Sequence, residues 1–182
     1  MKSFVLPEPK NGKLDVIDPL DGRYYDSEIS KFLSEESRVA YQAYVEAALA
    51  HALAEFDICS LEVAKQIESA ARKVTAESVY KEELTTRHDI KALVNCIKRE
   101  LPENAQPFVH FGATSYDIVS TAAALQLRTA VQELVVPRLK LLLETLLELT
   151  EKYAETTQIG RTHGQHAVPV TFGFAMAEYV SR

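Results

Sequence analysis

The chain has 182 residues, 47% of them hydrophobic and 25% charged, an ordinary globular composition for one domain or one small domain plus part of a second. Its formal net charge of −6 argues against broad nucleic-acid binding while leaving room for a local cationic pocket. Six glycines, seven prolines and no tryptophan favour long helices over a turn-rich β protein.

Residues 1–26, with Pro7, Pro9 and Pro19, read as irregular, and Asp18-Pro19-Leu20-Asp21-Gly22 as a turn. From Ser34 the pattern becomes helical. Ser34 is a cap, Glu35 and Glu36 fall in the first turn, and Val39, Ala43, Ala47, Ala50 and Leu53 carry an apolar face towards Phe56. Ser60 caps a second helix reaching about Val74, and a third element covers roughly residues 77–83. Thr86-Arg87-His88-Asp89 has the form of a capping box, opening a helix with Ile90, Leu93, Val94 and Ile97 that ends before Pro102. Thr114-Ser115-Tyr116-Asp117 repeats the device. Pro137 is either a kink or the first residue of a new helical turn.

Leu139, Leu142, Leu146, Leu149 and Tyr153 recur at alternating spacings of three and four, with Leu143 and Leu147 widening the stripe. That is the seam of a bundle or coiled coil, and it predicts oligomerisation. The expected fold is all-α: an N-terminal helical domain over 1–113, then the start of a long-helix bundle over 114–182. From Phe172 a further helix begins with no stop signal before Arg182, so the chain is expected to be part of a longer protein.

Cys59 and Cys96 lack metal-ligand spacing and form no disulfide framework, which fits a reduced, cytoplasmic protein. No stretch approaches membrane-spanning length, and no signal-peptide run opens the chain. No metal site is expected. His163 and His166 are separated by a glycine, and no third ligand accompanies them.

Chemistry concentrates in a few polar clusters. Gly160-Arg161-Thr162-His163-Gly164-Gln165-His166 offers a cation, a hydroxyl and a titratable imidazole between glycines that clear space for a ligand. His110-Phe111-Gly112-Ala113-Thr114-Ser115 sets hydroxyls and N–H groups at a helix start, either a plain cap beside a tight turn or a seat for a carboxylate or phosphate. His88 beside Arg87 is either a satisfied helix residue or part of an anion site. Asp21-Gly22-Arg23-Tyr24 is a weaker fourth cluster.

Taken in order, Asp18-Pro19-Leu20-Asp21-Gly22-Arg23-Tyr24, Thr85-Thr86-Arg87-His88-Asp89, His110 to Asp117 and Gly160 to Gln165 resemble the motifs of the adenylosuccinate lyases, in the fumarase/aspartase superfamily. The resemblance covers nearly the whole chain from about residue 18. It implies an all-helical subunit of a cytoplasmic homotetramer that eliminates fumarate from a nucleotide, either adenylosuccinate or the succinylated carboxamide intermediate of purine synthesis. No metal or organic cofactor is implied.

By the same resemblance Arg23 and Tyr24 bind the phosphate end, and Arg87, His88 and Asp89 line the pocket, with His88 the main polar contact. Thr114 and Ser115 hold an anionic part of the substrate, with His110 beside them. Thr162 positions substrate, and His163 is the general acid. The family's Gly-Ser-Ser-rich loop, which carries the base serine, has no counterpart here, so the 182-residue chain alone is expected to be inactive. The nearest rival is a carboxymuconate cycloisomerase, which shares a Gly-Ala-Thr-Ser-x-Asp segment but tends to carry a bulky aromatic at the position of His163. A rival of another class is a non-catalytic helical scaffold built on the leucine seam.

Overall fold

A computed structural model describes residues 21–182, and the chain divides into two compact units, Met1–Ala130 and Val131–Arg182. The turn expected around Asp18-Pro19-Leu20 lies outside the described residues.

In the first unit, α1 (Asp21–Tyr24) is a single turn and α2 (Ser27–Leu33) follows it. Helix therefore begins earlier than Ser34, where the pattern of the sequence places it. Asp26 supplies the reason: its carboxylate accepts the N–H groups of Glu28 and Ile29 at 2.8 and 3.0 Å. Ser34, extended at ψ 165°, ends α2 and opens α3 (Glu35–Glu55), its Oγ accepting the Ser37 N–H at 3.3 Å. Helix α4 (Leu61–Ala71) starts on the Ser60 cap as the sequence predicts. The third element is longer than expected: a Thr75/Ser78 capping box starts α5 (Ala76–Thr86).

The start of the next helix differs from expectation. Thr86 is the last residue of α5, Arg87 adopts the left-handed conformation that ends it (φ 51°), and His88 caps α6 (Asp89–Arg99). An imidazole nitrogen takes the place of the threonine hydroxyl because the left-handed Arg87 ends α5 and moves the cap two residues on, to His88. A short 3₁₀ turn (Gln106–Phe108) then leads to α7 (Ser115–Ala130), where the Asp117 carboxylate accepts the Thr114 N–H at 2.8 Å.

Helix α3 is the centre of this unit. Its small-residue face, Ala43, Ala47 and Ala50 with Val39, lets α4 and α7 approach closely. Ile67 of α4, Ile90, Leu93 and Ile97 of α6 and Ile118 of α7 fill the same core. Polar ties fix the layers. Gln126 donates to the Phe32 carbonyl at 2.7 Å, and His51 meets Glu68 at 2.8 Å across α3 and α4.

The second unit opens with a π-helical turn (Val131–Val135) and continues as α8 (Val136–Lys152). Pro137 sits in the first turn of α8, where its missing N–H costs least, and the wide turn before it absorbs the ring. A β-hairpin follows, β1 (Thr157–Thr162) against β2 (Gln165–Thr171), and then α9 (Phe172–Ser181). The hairpin is the one departure from an otherwise helical chain among the described residues. Helix α9 is pinned to the end of α8 by Gly173, whose N–H donates to the Tyr153 carbonyl at 2.9 Å, and by an edge-to-face contact of Tyr153 with Phe172. Much of the leucine stripe is open: Leu139 is 58% and Leu142 53% exposed.

Candidate active site

Three parts of the first unit converge on one cavity of about 510 Å³. The end of α5, the His88 cap and one face of α6 contribute Thr86, His88, Ile90, Lys91, Val94 and Lys98; the loop after the 3₁₀ turn contributes Val109 and His110; the start of α7 contributes Ser115. Among the described residues no aspartate or glutamate lines it. Two lysines, two histidines and two hydroxyls therefore make a donor-rich pocket in a chain of net charge −6. Such a lining favours an anionic ligand.

His88 is fixed by its capping role. Its Nδ1 accepts the Lys91 N–H at 3.3 Å, which puts the ring proton on Nε2 and points it at Ser115 Oγ, 3.5 Å away. The Asp89 carboxylate also stands 3.3 Å from Nδ1. The two contacts exclude each other: neutral His88 caps the helix, whereas a second proton on the ring would release the cap and form an ion pair with Asp89.

His110 is held differently. It adopts the left-handed conformation (φ 63°), which costs a non-glycine residue about 1–2 kcal/mol. Its Nδ1 lies 2.6 Å from Oε1 of Glu46, a side chain from the middle of α3 with no exposed surface. Burial pushes the Glu46 carboxyl above the ordinary carboxylate range, while His110 and then Lys98 pull the other way. Gly112, also left-handed (φ 74°), completes the turn towards α7.

The other expected residues fall elsewhere. Arg87 and Asp89 flank His88 without lining the cavity, and Thr114 spends its N–H on Asp117. Arg23 and Tyr24 lie exposed in α1, Tyr24 at 70%. Thr162 and His163 belong to the second unit. There Thr162 pairs with Gln165, and His163 and Gly164 form the two-residue turn of the hairpin, with φ of 51° and 72°, the signature of a type I′ turn. His163 is thus presented at the tip of a hairpin. Among the described residues no group of three or more His, Cys, Asp and Glu side chains is arranged to hold a metal ion.

Glu46, Lys91 and Lys98 were not singled out by the sequence. The lysines were findable: His88, Lys91, Val94 and Lys98 follow helical spacing down one face of α6. Glu46 was not, because 64 residues separate it from His110 and no spacing rule spans that gap.

The family described as Lyase matches residues 15–182. The adenylosuccinate lyase of Methanocaldococcus jannaschii is 38% identical over 170 residues, covering 92% of this chain and 37% of that protein. The adenylosuccinate lyase of Archaeoglobus fulgidus is 41% identical over 162 residues, covering 89% of this chain and 36% of that protein. Among solved structures, the 3-carboxy-cis,cis-muconate lactonizing enzyme from Pseudomonas putida superposes with a TM-score of 0.80 at 30% identity, over 89% of this chain and 38% of that one. The chain therefore spans little more than a third of the length of the relatives it matches. It belongs to the lyase family, and the match takes in all but its first fourteen residues.

Proposed function

We propose that this chain works within an adenylosuccinate lyase, cleaving adenylosuccinate to AMP and fumarate and releasing fumarate likewise from the succinylated carboxamide intermediate. The observation that carries the reading is the convergence of His88, His110, Ser115, Lys91 and Lys98 on one cavity that no acidic residue lines among the described residues. A substrate with succinyl carboxylates and a phosphate suits such a lining.

In the reaction a base removes a proton from the carbon beside a carboxylate, the C–H electrons form the new double bond, and the C–N bond breaks towards nitrogen. Charge building on that carboxylate is stabilised by fixed donors such as the Nε2–H of His88, the Ser115 hydroxyl and the lysine ammonium groups. His163 is the general acid that protonates the departing nitrogen, with Thr162 positioning substrate beside it. Arg23 and Tyr24 bind the phosphate end, and Arg87, Asp89 and Thr114 belong to the substrate-binding set. The base serine comes from the part of the relatives' length that this chain does not span. The active protein is a cytoplasmic homotetramer, and the open leucines of α8 supply assembly surface. Sedimentation of the full-length protein as a monomer contradicts that assembly.

The test offers the full-length protein adenylosuccinate and 3-carboxy-cis,cis-muconate side by side. Turnover of the purine substrate alone supports the reading, and turnover of the muconate alone overturns it in favour of the cycloisomerase.

A further inference from the structure

Glu46 stands out among the buried groups of the first unit. Its side chain has no exposed surface, Oε1 meets only His110, and Oε2 has no hydrogen-bond partner among the described residues. Stability does not account for it. A buried carboxylate with one unsatisfied oxygen is destabilising compared with an apolar residue of similar volume. The position also lies in the tightly packed face of α3, between Ala43, Ala47 and Ala50, where a leucine suits the surroundings better.

The chemistry of the pair gives a reason. Glu46 occupies Nδ1, so Nε2 is the ring nitrogen left to the cavity that His110 lines. With the Glu46 carboxylate accepting the Nδ1–H, the orientation of the ring is fixed and Nε2 is the atom offered to a ligand. Without the carboxylate the ring is free to turn over or to exchange tautomers. The left-handed backbone at His110 needs the same anchor.

We propose that Glu46 is a positioning residue, holding His110 by its Nδ1–H so that Nε2 is presented in the cavity to the carboxylate or phosphate end of the substrate. This rests on the lyase reading for the identity of the substrate, but the orientation of His110 does not.

Histidine ¹⁵N NMR of the chain tests the orientation. The expected spectrum has a protonated, slowly exchanging Nδ1 at His110 that is lost in Glu46→Gln; an unprotonated Nδ1 in the parent chain, or a pattern unchanged by the substitution, overturns the proposal. Titration with fumarate and with AMP then separates the two oxygen sources. A shift at Nε2 with fumarate assigns the carboxylate, a shift with AMP the phosphate, and a shift with neither contradicts a substrate contact at Nε2.

In the full-length protein Glu46→Gln lowers kcat/KM for adenylosuccinate by about 100-fold, the scale of a displaced catalytic contact. The double variant Glu46→Gln/His110→Asn loses no more than His110→Asn alone, because Glu46 acts through His110. Additive losses contradict this, since a purely structural residue adds its damage to any background. A full-length protein that turns over no adenylosuccinate sinks the lyase reading and leaves the NMR result standing. Turnover indifferent to Glu46→Gln sinks this inference alone.

Discussion

At the scale of single residues, the cavity shows why side-chain type and backbone geometry must be read together. His88 and His110 both line it, yet the first is oriented by the Lys91 N–H of its own helix and the second by a carboxylate from α3. Lys98 connects the two effects: it lines the cavity and also draws the Glu46 carboxyl down against the effect of burial. Lys98→Ala is expected to raise KM for an anionic substrate about tenfold, the value of one charge-assisted contact. An unchanged KM in steady-state kinetics means that the lysine faces solvent in the complex. His88 and Ser115 were visible in the sequence because caps announce themselves. Which atom does the capping was not, since only the left-handed Arg87 moves the cap from Thr86 to His88.

At the scale of elements, most helices follow from local signals. Ser34 and Ser60 open helices where the sequence places them, and the apolar faces of α3, α4 and α6 are the ones buried. The hairpin was harder to see. Thr157, Ile159, Thr162, Val168, Val170 and Thr171 favour strands, but Gly160 and Pro169 interrupt the alternation. Gly160 lies where the register slips between Ile159 and Arg161, and a Cβ there would meet the Val168 carbonyl at 2.6 Å. The junction of α8 and α9 depends on Gly173 in the same way. A Cβ on it would come within 2.5 Å of the Thr150 carbonyl oxygen and 2.8 Å of Ala154 Cα. Gly173→Ala therefore costs about 1–3 kcal/mol, read as a lower urea midpoint for the second unit. A midpoint equal to that of the parent chain shows that the two helices separate easily.

At the scale of the whole molecule, the chain carries a donor-lined cavity in its first unit and a histidine-tipped hairpin in its second, and it spans just over a third of its relatives' length. The spacing of the leucine stripe predicts a seam, and the structure leaves much of that stripe exposed. We propose that these parts serve the elimination of fumarate from adenylosuccinate, with His163 as the acid. The most direct measurement is fumarate release from adenylosuccinate by the full-length protein, with His163→Ala and the 182-residue chain assayed beside it. We expect release by the full-length protein, a fall in kcat far larger than any rise in KM for His163→Ala, and no release by the 182-residue chain alone. Full activity in His163→Ala, or no release from a folded, tetrameric full-length protein, would contradict it.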